Sequence, residues 1–151
     1  MISTEELISE AVSSVKILAE EKSGRIVQEL MEESPVIPVD RIHLVNAIGN
    51  LLTNALKYTR NDPVIRIRTF LQGDFYAIEI SDNGIGIPAK YQKYIFDKYF
   101  RVPTGDVHNI KGFGIGLSYV KSVVTGHGGR IHVTSEPGKG SIFTILLPKT
   151  V

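Results

Sequence analysis

Cysteine is absent from all 151 residues, which excludes disulfides and thiolate-held metals and is compatible with a reducing compartment. An excess of either charge is also missing: 17 Lys plus Arg stand against 16 Asp plus Glu, for a formal net charge of +1. The chain as a whole therefore carries no basic footprint for nucleic acid or an anionic membrane, and any anion binding must be local. Apolar runs fall short of the roughly 18 residues expected of a membrane-spanning helix, and Glu5 and Glu6 stand where a signal peptide would be basic. There is no internal repeat and no low-complexity tract. What remains, 42% hydrophobic and 22% charged, has the size and composition of a single domain, residues 1–151, with its own core. Met1 opens almost directly onto a helix signal, so the chain is expected to be a piece of a longer protein.

The pattern along the chain predicts helices and strands in a definite order. Ser3-x-x-Glu6 is a capping-box signature, and Leu7, Ile8, Ala11, Val12, Val15, Leu18 and Ala19 follow at helical spacing as far as Lys22-Ser23-Gly24. Residues 25–31 alternate as a strand, and "SPVIPVD", with two prolines, reads as a connector to a helix capped by Asp40 that runs from about Arg41 to Tyr58. "VIRIRTFL" (64–71) and "DFYAIEIS" (74–81) alternate with period two around Gln72-Gly73, an antiparallel hairpin. Beyond Asp82 the pattern breaks for some 30 residues, the kind of long loop that is usually functional or disordered. A third helix reaches about Thr125 and closes at Gly126, with Leu117, Val120 and Val124 as its core contacts. "RIHVTS" and "SIFTILLP", joined by "EPGKG", form a last antiparallel pair. The predicted fold is α+β: a two-layer sandwich with three main helices on one face of a mixed, mostly antiparallel sheet of about five strands.

Several clusters offer chemistry. On the second helix Leu44, Val45, Ile48, Leu51, Leu52, Ala55 and Leu56 form the core stripe, and His43, Asn46, Asn50, Asn54 and Lys57 occupy the opposite arc, with Tyr58 at its edge. That arc is either a solvated face or a ligand face. Asparagine is a poor helix former, whereas its amide oxygen and N–H groups suit a hard cation or polar ligand atoms. Asp82 is in phase with Tyr76, Ile78 and Ile80, the inward set of its strand, and a carboxylate there needs a donor. That donor is either the local backbone of "NGIG", as in an Asx-turn or N-cap, or the N–H of a ligand whose flat ring slides in where Gly84 and Gly86 lack side chains. Lys98, Arg101 and Lys111 give the following loop a cationic bias. Next to them Gly112, Gly114 and Gly116 open a helix whose free N–H groups favour an anion, with phosphate the obvious candidate. The glycine run matches neither GxGxxG nor GxxxxGK[ST].

Taken in order, "NAIGNLLTNALKYT", "DNGIGIP", "IFDKYFR", "GFGIGLSYVK" and "GKGSIF" resemble the N, G1, F, G2 and G3 boxes of the ATP-binding catalytic domain of bacterial sensor histidine kinases, in the GHKL superfamily. The resemblance covers roughly Ser3 to Pro148 and implies a Bergerat-type fold that binds ATP and Mg²⁺. It gives Asn54 the metal, with Asn50 one turn earlier, Lys57 the phosphates, and Tyr58 the adenine. Asp82 would accept from the adenine amino group, and Gly84, Ile85, Gly86 and Ile87 would form the base loop. Phe96 to Arg101 would hinge a lid spanning about 97–115, with Tyr99 and Lys111 beside the nucleotide and Arg101 approaching the γ-phosphate. Gly112, Phe113, Gly114, Ile115, Gly116 and Leu117 would cradle the phosphates. Ser141 stands where the family usually has threonine.

One departure carries a consequence for the reaction. In the ATP-hydrolysing relatives, DNA gyrase, the MutL proteins and the ninety-kilodalton heat-shock chaperone, the residue four before the metal-binding Asn is a water-activating Glu. Here it is Asn50, which cannot act as a general base. The resemblance therefore implies transfer of the γ-phosphoryl group, with Asn50 and Arg101 as the catalytic positions, to a histidine on a separate dimerisation domain and onward to a response regulator. None of His43, His108, His127 and His132 is followed by Glu or Asp as an acceptor would be. His127 reads as a helix-end residue, His132 as a strand residue and His108 as a lid surface residue. The chain is expected to be monomeric and cytoplasmic, and its parent to be anchored in the inner membrane. A regulatory module that only binds nucleotide, and a serine kinase of the anti-sigma type, are the alternatives.

Overall fold

The computed structural model describes residues 2–33, 35–59, 61–98, 100 and 113–149, and for 113–115 only the backbone. The first half comprises β1 (Ile2–Ser3), α1 (Thr4–Ser14), α2 (Lys16–Glu21), β2 (Arg25–Glu29), β3 (Val36–Ile37) and α3 (Arg41–Lys57). It is followed by β4 (Val64–Gln72), β5 (Phe75–Asp82), α4 (Ala89–Gln92), α5 (Phe113–Gly126), β6 (Arg130–Glu136) and β7 (Gly140–Pro148).

The sheet runs in the order β2-β4-β5-β7-β6 and is antiparallel throughout except for β2 against β4. Its inward rows pair Ile67 with Ile80 and Ile80 with Phe143, or Ile78 with Ile145, so alternate residues of β4, β5 and β7 face the helices. Against them pack Leu7, Ile8 and Ala11 of α1, Leu44, Ile48, Leu51, Leu52 and Leu56 of α3, and Leu117, Val120 and Val124 of α5, all buried. Each such large aliphatic side chain contributes about 1.5–3 kcal/mol by leaving water. The expected α+β sandwich of α1, α3 and α5 on one sheet face is thus the observed one.

Four local expectations change. The first helix is two: Val15 N–H bonds to Val12, three residues back, and the Ser14 hydroxyl donates to the Ala11 carbonyl at 2.6 Å, drawing a helical carbonyl out of line. Ser3 stands at the N-cap position without a side-chain capping bond, because it lies in β1, paired with β3. The "SPVIPVD" connector therefore contains a strand. Finally, α5 does reach Gly126, but the left-handed residue that closes it is Gly128, with φ +76°, and not Gly126: Gly129 N–H returns to the Val124 carbonyl at 2.9 Å. Asp40 does cap α3, its carboxylate accepting from His43 N–H at 3.1 Å.

Candidate functional site

The polar arc of α3 does not face open solvent along its whole length. Asn46, Asn50, Asn54 and Lys57 line one wall of an open groove of about 750 Å³, and Gly116 and Tyr119 of α5 line the other. A Cβ on Gly116 would meet only Asn54 Nδ2, at 3.8 Å, so the missing side chain leaves the groove open. Among the described residues Asn54 Nδ2 is the one buried side-chain nitrogen or oxygen without a hydrogen-bond partner. An orphaned buried donor costs about 1–3 kcal/mol, which a ligand oxygen would recover. Its carbonyl oxygen is the donor type that hard divalent cations take. No group of three or more His, Cys, Asp or Glu suited to a metal occurs among the described residues.

Asn54 also borders a second, tighter cavity together with Ala55, Tyr58, Asp82, Ile85, Gly86, Ile87, Ser141 and Phe143. The two spaces meet at this one asparagine. Asp82 ends β5 in the inward phase, partly buried, and its Oδ1 accepts from Gly84 N–H at 2.8 Å and from Ser141 N–H at 3.2 Å. The local Asx-type donor is therefore present, yet among the described residues the hydrogen bonds engage only Oδ1 and leave the second carboxylate oxygen for another donor. Burial pushes the Asp82 carboxyl above its ordinary value, and the two backbone N–H groups only partly offset this.

The glycines of the base loop have a different task from the one predicted. A Cβ on Gly86, whose φ is +75°, would lie 2.2 Å from the Glu136 carbonyl oxygen. One on Gly84 would lie 2.7 Å from the Tyr58 carbonyl oxygen and 2.8 Å from Asp82 Oδ1. The space is occupied by this chain's own groups and not reserved for a ring. What the absent side chains permit is docking of residues 84–87 onto the turn between β6 and β7, where Gly138 N–H donates to the Ile85 carbonyl at 2.8 Å, and onto α3, where Ile85 N–H donates to Tyr58.

Of the other predicted positions, Tyr58, Ile87 and Ser141 are buried, and Lys57 is exposed. Leu117 is fully buried in the core. As the fifth residue of α5 it has its N–H in the helical ladder, so a share in a phosphate cradle would not come from a free N–H there. Gly114 and Gly116 lie in the first turn of α5. Phe96 packs edge-on against Phe143, with ring centroids 6.2 Å apart. Tyr99, Arg101, Lys111, Gly112 and His108 lie outside the described residues, as do the side chains of Phe113 and Ile115. His43 is exposed beside Asp40, while His127 and His132 sit at the end of α5 and in β6, as predicted.

Two site residues escaped sequence reasoning. Ser135 Oγ accepts from Ile87 N–H at 2.7 Å and contacts Ser141 Oγ at 2.7 Å. Gln92 donates to the carbonyls of Ile87 at 2.9 Å and Ser135 at 3.0 Å. Ser135 had a signal, being in phase with the apolar Ile131 and Val133 of its strand; Gln92 had none.

A five-stranded sheet with its helices on one face, a groove between α3 and α5, and a second cavity between α3 and the sheet end at Asp82 and Ser141 define the class of α+β domain. The chain belongs to the family of histidine kinase-, DNA gyrase B- and HSP90-like ATPases, whose family model matches residues 39–151. It is 41% identical over 145 residues to the sensor protein RprX of Bacteroides fragilis, covering 95% of this chain and 28% of that one. It is 34% identical over 148 residues to the sensor-like histidine kinase SenX3 of Mycolicibacterium smegmatis (98% and 38% covered), and 39% over 118 residues to the sensor histidine kinase RcsC of Escherichia coli (76% and 12%). The chain thus spans well under half the length of these curated relatives. Among solved structures, the catalytic domain of the histidine kinase ThkA superposes with a TM-score of 0.85 at 24% identity, covering 99% of this chain and 97% of that one. The mycobacterial sensor histidine kinase MprB does so with 0.81 at 24%, covering 97% and 96%.

Proposed function

We infer that residues 1–151 form one ATP-binding catalytic domain of a sensor histidine kinase, which binds Mg-ATP and passes its γ-phosphoryl group to a histidine on a separate dimerisation domain. The observation that carries this is the junction at Asn54, where a polar groove with an orphaned amide meets a narrower pocket holding a half-used carboxylate. In this reading the adenine enters the pocket of Tyr58, Ile85, Ile87 and Phe143, and its amino group donates to the free oxygen of Asp82. The phosphates lie along the groove, where Asn54 Nδ2 donates to a phosphate oxygen and Lys57 adds positive charge. Gly114 and Gly116 place the positive end of α5 against them.

The donor set fits Mg²⁺, which keeps near-octahedral oxygen coordination and is usually held by one or two protein groups plus phosphate. Asn54 Oδ1 would hold it, and once bound it would neutralise charge on the transferring phosphoryl group. Asn50, one turn away in the same groove, offers an amide in place of a general base, so water is not activated and the phosphoryl group is kept for a better nucleophile. Catalysis would then consist of positioning and charge stabilisation, with Arg101 proposed to approach the γ-phosphate and residues 97–115 proposed to close over it.

The acceptor histidine and the response regulator belong to the same proposal, as do a monomeric state for this fragment, a cytoplasmic location and a membrane-anchored parent. Among the described residues no helix is long and apolar enough to cross a membrane. Mixing the chain with the cognate histidine-bearing hairpin and γ-labelled ATP should place acid-labile label on the hairpin. Nucleotide binding without any label on histidine would replace this reading with that of a regulatory module.

A further inference from the structure

The Ser135 hydroxyl, at the end of β6, meets three groups of the base pocket at once. It accepts from Ile87 N–H at 2.7 Å, donates to the Gly140 carbonyl at 3.0 Å, and lies 2.7 Å from Ser141 Oγ. A serine hydroxyl has one proton and two lone pairs. Satisfying all three contacts at once sends its proton to the Gly140 carbonyl, which can only accept, and gives one lone pair to Ile87 N–H. The Ser135–Ser141 contact, in which either oxygen could donate, is then made with Ser141 as donor. The backbone N–H of Ser141 is also engaged, by Asp82 Oδ1 at 3.2 Å. In this assignment both donors of Ser141 are spent inside the protein, and its hydroxyl offers the pocket that Ser141 lines lone pairs only, beside a carboxylate that also only accepts.

We propose that Ser135 is a specificity-determining residue: by holding Ser141 as an acceptor it makes this end of the pocket take an exocyclic amino group and reject a ring keto oxygen, selecting 6-aminopurine over 6-oxopurine nucleotides. The inference rests on the proposed ATP reading of the same pocket. Gln92 fixes the frame in which it operates, because its amide joins the carbonyls of Ile87 and Ser135. Without the Ser135 hydroxyl, Ser141 is free to turn its proton into the pocket and donate to a 6-keto oxygen, while Asp82 accepts the ring N1–H of the oxopurine.

Calorimetric titration of the full chain with ATP and with inosine triphosphate, each with Mg²⁺, tests this. Ser135→Ala should lower the ratio of ATP to inosine triphosphate affinity about five- to tenfold, the size of one exchanged hydrogen bond. Ser135→Thr, which keeps the hydroxyl, should restore the ratio. In a Ser141→Ala background the Ser135→Ala change should leave the ratio unaltered, since the two act as one unit. Should Ser135→Ala show no folding transition, Ser135→Cys, close in shape and a weak donor and acceptor, carries the same ratio test. Equal losses for both nucleotides, or an unaltered ratio, overturn the inference and show Ser135 to be merely structural. Failure of the wild-type chain to bind ATP overturns the ATP reading itself.

Discussion

Replacing Asp82 by Asn removes a charge while keeping the shape, and the geometry says what each oxygen loses. The asparagine Oδ1 can keep both backbone donors, Gly84 N–H and Ser141 N–H, now held at 2.8 and 3.2 Å. The amide nitrogen must then stand where the free carboxylate oxygen was, and face the adenine amino group donor to donor. A hydrogen bond to a charged group is worth about 1.5–3 kcal/mol and an unsatisfied buried donor costs about 1–3 kcal/mol. The low end of the sum, about 2.5 kcal/mol, is roughly a fifty- to hundredfold loss of ATP affinity. The unliganded protein should not weaken, because burial already raises the Asp82 pKa and the charge is a net cost to the fold.

The sign of the pH dependence follows. Between its ordinary and its raised value Asp82 holds a proton in the folded chain that it releases on unfolding, so its contribution to stability falls as pH rises through that window. In the proposed pairing ATP binding needs the carboxylate, so wild-type affinity should fall as pH drops through the raised pKa, more steeply than in Asp82→Asn, which shares every other titrating group. Calorimetry of both proteins across acidic pH, with thermal melts of the unliganded forms, measures all three effects. ATP affinity in Asp82→Asn within threefold of wild type, or an unliganded melting temperature many degrees lower, would refute the reasoning.

Gly86→Ala should cost about 2–4 kcal/mol in urea unfolding, because φ is +75° and the new Cβ would stand 2.2 Å from the Glu136 carbonyl oxygen; a change under 0.5 kcal/mol would contradict that packing. Asn54→Ala removes an unpaired buried amide, so unliganded stability should move by less than about 1 kcal/mol while Mg-ATP affinity drops at least tenfold; melts and calorimetry separate the two. Gly116→Leu adds a better helix former to α5 with its side chain in the groove, so the unliganded melting temperature should hold or rise as ATP affinity falls; lower stability with intact binding would assign Gly116 to packing.

Much of this was legible from the chain alone where local pattern and tertiary packing agree. The α3 stripe and the β4–β5 hairpin repeat at 3.6 and 2 residues, and the core confirms both. The break at Val15 was not legible, because Leu7, Ile8, Val15 and Ala19 keep helical spacing across it and only the Ser14 hydroxyl pulling on Ala11 reveals it. Two-residue strands such as β1 and β3 are below any period. In the site, Asn54 and Asp82 announced themselves as polar groups in unusual company, whereas Gly84 and Gly86 gave a correct alarm with the wrong cause, since a sequence cannot say which backbone will approach. Ser135 and Gln92 each bridge a near neighbour to a partner 48 or 43 residues away, a distance only the fold closes.

The central claim is that this site keeps the γ-phosphoryl group from water and delivers it to histidine. Its most direct test is one time course with γ-labelled Mg-ATP, the chain and its cognate histidine-bearing hairpin, scoring phosphohistidine against free phosphate. The account predicts label on the hairpin histidine well ahead of free phosphate, and slow phosphate release from the chain alone. Rapid release of free phosphate with an unlabelled hairpin would contradict it.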